Sequence, residues 1–307
     1  MKSTSWKYSK DPYEIFKLVI GNPRITKKEM AKNLAVSPST LDIWWKFAIE
    51  NRFIILPIFR RKSYLNFREY FYFVKSDNPH QFFESIQENK NVLYCSVQTG
   101  FADIQIISKS EINFEEEIVL SGPRSNYYVS IPPSCTYEES ISRIEKRFKK
   151  IEKVLSESPL KFFKKSYGPW DDLDEAIFWS FSNNVRKKFK CVMEETGAYS
   201  DKILKWFRKR HKFGDTIVMF FPEGENYYQL TLYVIETKYD NIIIDLFSQL
   251  PTPSVFYRID KSLIMAIYIS FPFAARSLVR RILGFLKKEK LVSNYTNSIV
   301  EYGYRPD

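Results

Sequence analysis

The sequence predicts an α+β protein in which two winged helix-turn-helix domains alternate with two ferredoxin-like βαββαβ domains. Three observations predict it. Short capped helices followed by an apolar strand occur twice, near the start and again after Gly168-Pro169. Each time the hydrophobic period then switches in the order strand, helix, strand, strand, helix, strand. The composition, 44% hydrophobic and 27% charged over 307 residues, suits a globular chain with core enough for about two domains.

The elements follow in order. Tyr13, Ile15, Phe16, Val19 and Ile20 form a stripe that predicts a helix over 11–22, ended by Gly21-Asn22-Pro23. Thr26-Lys27-Lys28-Glu29 is a capping box, in which hydroxyl and carboxylate satisfy each other's orphan amides. Ser37-Pro38 reads as N-cap and first helical position. Leu41, Trp44, Trp45, Ala48 and Ile49 then give one buried helix face, and an apolar strand runs over 53–59. Strands are expected at 69–74, 92–98, 102–107 and 127–131, with helices at 79–89 and 112–120. After Pro132-Pro133 a basic amphipathic helix is expected over 138–155, with Ile141, Ile144, Phe148, Ile151 and Leu155 as its core-facing seam. Its cationic faces suit a solvated connector, a dimer contact or a rail for a DNA backbone.

The second half repeats this order. Helices are expected at 173–181, 185–196 and from a Ser200 cap through Lys212, then strands at 216–221 and 227–235. A helix at 241–250, strands at 255–259 and 263–270, a helix at 273–288 and a strand at 294–302 complete it. The predicted boundaries are 1–66, winged helix-turn-helix 1; 67–134, ferredoxin-like domain 1; 135–168, helical connector; 169–225, winged helix-turn-helix 2; and 226–307, ferredoxin-like domain 2.

Composition excludes several classes. Only 9 glycines argue against Gly-rich phosphate cradles. Cys95, Cys135 and Cys191 are far apart, which argues against a disulfide scaffold or zinc finger and suits a reducing, cytoplasmic setting. Met1 to Lys10 lacks the apolar region of a signal peptide, and Pro272 interrupts the longest apolar run, 263–275, so no membrane span is expected. His80 and His211 have no partners at metal-ligand spacing, and no nucleophile elbow or paired-carboxylate motif appears. The expectation is therefore no catalytic residue, no metal, no cofactor and no enzyme. The aromatics Tyr70, Phe71, Tyr72, Phe73, Tyr228 and Tyr233 suit core packing better than base stacking. The net charge of +11 calls for an anionic partner: nucleic acid, an acidic protein or a membrane surface.

This order of elements resembles the Lrp/AsnC family of bacterial and archaeal transcription regulators, here as an apparent tandem duplication. Residues 25–40, ITKKEMAKNLAVSPST, look like that family's helix-turn-helix, and 98–106, QTGFADIQI, like its Thr-Gly-x-x-Asp hairpin. The second half matches by element order, with Asp260-Lys261 at the corresponding bend. The resemblance implies duplex DNA as partner, a small-molecule effector near Gly100 and Asp103, and either a homodimer or a pseudo-symmetric monomer. Haem-precursor decarboxylases with the same two domains also resemble the family.

The two helix-turn-helix segments differ in charge. The outer face of the first recognition helix carries Asp42, Ile43, Lys46, Phe47 and Glu50, which suits a protein contact through Ile43 and Phe47. Residues 184–213 hold ten Lys and Arg against three acidic residues, a local charge of +7. The expected DNA contacts are Arg186, Lys187, Lys188, Lys190, Ser200, Lys202, Lys205, Arg208, Lys209 and Lys212, with Arg60, Arg61 and Lys62 after the first strand. The sequence thus points to a DNA-binding transcription regulator. A protein-interaction module of the transcription machinery and a tetrapyrrole decarboxylase-like enzyme are the alternatives.

Overall fold

The structure, a computed structural model, describes residues 12–151, 157–270 and 274–306. In chain order the helices are α1 (Pro12–Gly21), α2 (Lys27–Asn33), α3 (Pro38–Glu50), α4 (Pro79–Ile86), α5 (Tyr137–Phe148), α6 (Asp172–Ser182), α7 (Phe189–Thr196), α8 (Ser200–Lys209), α9 (Asp240–Phe247) and α10 (Ala274–Lys288). The strands are β1 (Ile54–Arg61), β2 (Tyr70–Lys75), β3 (Val92–Gly100), β4 (Ile104–Ser108), β5 (Glu117–Pro123), β6 (Tyr128–Val129), β7 (Gly214–Phe220), β8 (Tyr228–Glu236), β9 (Ser254–Ile259), β10 (Ser262–Ser270) and β11 (Asn294–Tyr304). They form two units, Met1–Arg61 with Tyr167–Tyr227, and Lys62–Ser166 with Tyr228–Asp307.

The first unit holds both winged helix-turn-helix domains. Side-chain caps set its helix starts. Thr26 and Glu29 make the expected capping box at α2, Ser37 accepts from the Thr40 amide ahead of Pro38 at α3, and Asp171 with Asp174 caps α6. Strands β1 and β7 pair antiparallel, from Ile54 opposite Phe220 to Arg61 opposite Gly214, with an irregularity between Ile55 and Ile58. Pro57, which has no amide to donate, sits at that irregularity. The pairing lets each domain fill its core with a strand residue of the other. Phe220 of β7 stacks on Phe16 of α1 at 5.3 Å, while Phe59 of β1 meets Trp206 at 5.5 Å and Phe213 at 5.7 Å. Phe16 and Phe59 are fully buried, worth about 1.5–3 kcal/mol each. Gly214 allows the close approach, since a Cβ there would lie 2.3 Å from the Phe59 ring.

A reciprocal pair of arginines ties the same two domains together. Arg24 donates to the carbonyls of Val185 and Lys187, at 2.5 and 2.8 Å. Arg186 donates back to those of Pro23 and Ile25, both at 2.8 Å. Arg24 lies over the Phe189 ring and Arg186 over Trp45. Burial lowers both guanidinium pKa values, and Arg24 is lowered further by Arg186 and Arg210.

The second unit holds one nine-stranded sheet in the order β5-β2-β4-β3-β11-β8-β10-β9-β6. Each ferredoxin-like half contributes four strands, and the halves join edge to edge where β3 pairs antiparallel with β11. Alternation sorts the side chains onto two faces. One face packs under the helices: Tyr72 and Val74 lie against α4 residues Phe82, Phe83 and Ile86, and Tyr233 and Ile235 against α9 and α10. The opposite faces of the two halves meet each other through Phe71, Phe73, Leu232, Val234, Tyr257 and Ile259. The strand aromatics expected to pack do so; Phe71, Phe73 and Tyr233 are all buried.

Four local expectations are corrected. The 112–120 segment is not a helix; its second part is the edge strand β5, paired with β2, and Phe114 packs where a helix was expected. Residues 127–131 are not the fourth strand of that half, because β6 pairs with β9 at the far edge of the sheet. Helix α5 ends at Phe148 instead of 155, and it is a packed layer with Ile144 fully buried against the second half's core. The predicted end at Leu155, the N-terminal stretch 1–11 and the predicted helix start at Phe273 lie outside the described residues. Helix α7 begins at Phe189 instead of Val185. Among the described residues, no helix is long and apolar enough to cross a membrane.

Candidate nucleic-acid interface

The second helix-turn-helix is built from α7, a sharp turn and α8. Gly197 ends α7 in the left-handed region, at φ +69, which favours glycine. Ala198 is buried beneath the turn. Tyr199 occupies the N-cap of α8 without a side-chain cap bond, so Ser200 is the first helical residue and not the expected cap. Ile203 and Trp206 anchor the inner face. Helical spacing puts Asp201, Lys205, Arg208 and Lys209 on the outer side, and all four are exposed. Tyr199 stands beside them, 62% exposed. The sequence reading missed Tyr199; the signal available was an aromatic directly after the Gly197 helix stop.

The predicted cations fall into two groups. Lys205, Arg208 and Lys209 make no ion pair among the described residues, and Lys188 is exposed at the α7 N-cap. Lys190 is exposed and 3.9 Å from Glu194. Lys212 is exposed just beyond α8 and has a partner within the structure. The others are engaged within the unit. Lys202 bridges Asp171 at 2.9 Å and Asp174 at 2.8 Å. Burial alone would lower its pKa, but the two carboxylates outweigh it and raise it. Lys187 pairs with Glu195 at 2.5 Å. Arg186 is spent on the reciprocal clamp. Arg60 donates to the Ser182 carbonyl at 2.9 Å. Arg61 is 5% exposed, 2.6 Å from Glu175 and 4.0 Å over the Phe178 ring. Lys62 is half-buried at the head of the second unit.

The first recognition helix, α3, presents Ile43 at 68% exposure beside Ser39, Lys46 and Glu50. Phe47 is half-buried and stacks on Phe53 at 5.5 Å. Asp42 pairs with Lys27 and Lys46, and the Lys27 bond, then the Lys46 bond, holds its carboxyl below the usual range.

Gly100 and Asp103 have structural partners. Gly100 adopts φ +135, and a Cβ would lie 2.4 Å from the Asn297 carbonyl oxygen of β11. Asp103 accepts from Lys75 at 3.0 Å and from the Ser76 amide at 3.2 Å. The hairpin thus locks the two half-sheets together: the Phe101 amide donates to Asn297, and the Ala102 amide to the Ser298 hydroxyl. Gly100→Ala is expected to cost about 1–3 kcal/mol, read as a lower urea midpoint, because the conformation and the contact both exclude a side chain. Asp103 also borders an open cleft of about 1030 Å³ whose other carboxylates are Asp77, Glu115, Glu116 and Glu117, against the single cation Lys75.

Other chemistry-bearing groups are accounted for by packing. His80 stacks on Tyr302 and bonds its hydroxyl at 2.5 Å; His211 lies 3.1 Å from the Arg208 carbonyl. Burial pushes the Cys95 thiol up to about 12. Among the described residues no group of His, Cys, Asp and Glu is arranged to hold a metal.

Comparison with known proteins gives the fold a counterpart. No family model matches the chain. No curated protein matches it either. Two solved structures match over 96% of this chain and 92% of theirs, each with TM-score 0.53. One is the siroheme decarboxylase NirDL, at 12% identity; the other is the same enzyme in complex with an iron-uroporphyrin III analogue, at 10%. At this identity the likeness shows the fold: an α+β combination of winged helix-turn-helix and ferredoxin-like domains. It also corrects the expectation that the chain is not an enzyme. The structures that follow it along nearly its whole length belong to an enzyme, so the lack of a recognisable catalytic motif does not exclude catalysis on this fold.

Proposed function

We propose that the chain binds duplex DNA through its second winged helix-turn-helix, as a regulator on an Lrp/AsnC-like fold. The observation that carries this reading is the outer face of α8. Lys205, Arg208 and Lys209 are exposed together, with no ion pair among the described residues, on the helix that in this motif enters the major groove. Lys188 and Lys190 extend the cationic surface onto α7. Lysines neutralise phosphates, and the exposed Arg208 and Tyr199 are the side chains assigned here to base edges. The rigid first unit, held by the Arg24–Arg186 clamp, presents a single cationic recognition helix beside a nearly neutral one. Competition among labelled genomic and random duplexes tests it. The expected result is binding to all at low salt, with a few genomic fragments outcompeting the rest.

A second reading rests on the whole-chain likeness to siroheme decarboxylase: an enzyme acting on a carboxylated tetrapyrrole. The acidic cleft beside Asp103 has the wrong sign for such a ligand, which ranks this reading second. Titration with an iron-uroporphyrin III analogue tests it. A saturable shift of the Soret band would favour it, and an unchanged spectrum would remove it.

A further inference from the structure

The two helix-turn-helix domains of the first unit correspond residue by residue at one constant offset in the chain. Ala35 and Gly197 make the left-handed turn between the two helices, at φ +53 and +69. Ser37 and Tyr199 hold the N-cap positions of α3 and α8, and Leu41 and Ile203 are fully buried on their inner faces. The contacts between the domains keep the same register. Arg24 reaches the carbonyls flanking Arg186 and lies 5.2 Å over the Phe207 ring. Arg186 reaches the carbonyls flanking Arg24 and lies 4.9 Å over the ring of Trp45, the counterpart of Phe207. Contacts that repeat in both directions across the antiparallel β1–β7 pair are the mark of an approximate two-fold relation. The symmetry stops at the outer faces. Ile43, 68% exposed, stands where α8 has Lys205, and Phe47 where it has Lys209. Glu50 stands in the place of Lys212, and Lys46, the counterpart of Arg208, lies 3.2 Å from Asp42.

We propose that one chain fills its DNA site alone and that the site is not a palindrome: its informative base pairs lie in one half, under α8. This rests on the reading of α8 as the DNA contact and adds to it the form of the duplex. Two-fold readers take palindromes because two identical recognition helices meet two half-sites related by the same axis. Here the two-fold relation lies within one chain, so no second copy is needed to supply the second domain. The two helices it relates are chemically unequal, so no palindrome is needed either. The α3 positions that match Lys205, Lys209 and Lys212 are apolar or acidic, and Lys46 is engaged by a carboxylate. Helix α3 contains no Arg, Asn or Gln, the side chains that make most bidentate bonds to base edges, whereas α8 carries Arg208.

The test takes the full chain and its tightest-binding genomic duplex, replaces each base pair in turn and reads affinity by fluorescence anisotropy. Titration well above Kd gives the stoichiometry. The expected result is one chain per duplex, with the substitutions that weaken binding by about five-fold or more confined to one continuous run. Arg208→Ala is expected to flatten the preference within that run, whereas Ile43→Ala leaves the whole profile within about two-fold of the parent. A duplex carrying the run as an inverted repeat should gain no more than about two-fold, the statistical advantage of two equal orientations. A second run of sensitive base pairs, two chains per duplex, or a gain of about ten-fold on the inverted repeat overturns the proposal while leaving DNA binding in place. Binding to no duplex, or to every duplex equally, removes the reading of α8 and the proposal with it.

Discussion

Converting Lys205, Arg208 and Lys209 together to glutamate is expected to lower affinity for duplex DNA on the order of a hundredfold or more. Each lost phosphate contact also removes roughly one unit from the slope of log affinity against log salt. The three side chains are exposed and project from the outer side of α8, away from the Ile203 and Trp206 anchors, so the fold is expected to survive. The comparison variant is Lys202→Ala. Lys202 is committed to Asp171 and Asp174 at the start of α6, so its loss should change DNA affinity by less than about three-fold. Binding by anisotropy and folding by circular dichroism separate the two outcomes. If the triple variant binds as tightly as the parent, α8 is not the contact surface.

Glu69→Ala is expected to destabilise the second unit by about 3–5 kcal/mol, the range for leaving one member of a buried ion pair alone. Arg124 is 1% exposed, and its Nε lies 2.8 Å from Glu69 Oε2. It also donates to the Ser125 carbonyl at 2.9 Å, and its guanidinium lies 4.1 Å over the Tyr127 ring. Burial works to lower the Arg124 pKa, but the charge and hydrogen bond of Glu69 together with Tyr127 and Tyr257 outweigh it, and the net direction is upward. Removing Glu69 takes away the carboxylate that meets the Arg124 guanidinium in the interior. Replacing both partners, Glu69→Leu with Arg124→Met, should recover most of the loss, because it removes the Arg124 charge along with the pair. Urea unfolding of both variants measures this. A Glu69→Ala cost under about 1 kcal/mol would show that the pair does not stabilise the sheet.

The fold was legible wherever local chemistry decides. Thr26 with Glu29 and Ser37 before Pro38 cap helices as their spacing predicts. The strand and helix order of the second sheet half, β8 through β11 with α9 and α10, follows from the change of hydrophobic period. Where the sequence misled, a distant partner decided. Glu115-Glu116-Glu117 reads as helix surface, yet β5 is held as a strand by hydrogen bonds to β2. Tyr128 and Val129 find their partners at Phe256 and Val255, far along the chain. The site shows the same division. A local count treats every lysine and arginine in 184–213 as solvent-facing. Arg186 instead meets the carbonyls of Pro23 and Ile25 more than 160 residues away in sequence, and Lys202 meets carboxylates of the preceding helix. Helical spacing within α8 did place Lys205 and Lys209 correctly on the outer side, because Ile203 and Trp206 fix which side is inner.

The most direct test of the central claim is the affinity of the unmodified chain for duplex DNA across a salt series. With Lys188, Lys190, Lys205, Arg208 and Lys209 exposed, the account predicts a straight log–log plot with a slope of roughly −3 to −5. A flat plot, or no binding at low salt, would contradict it.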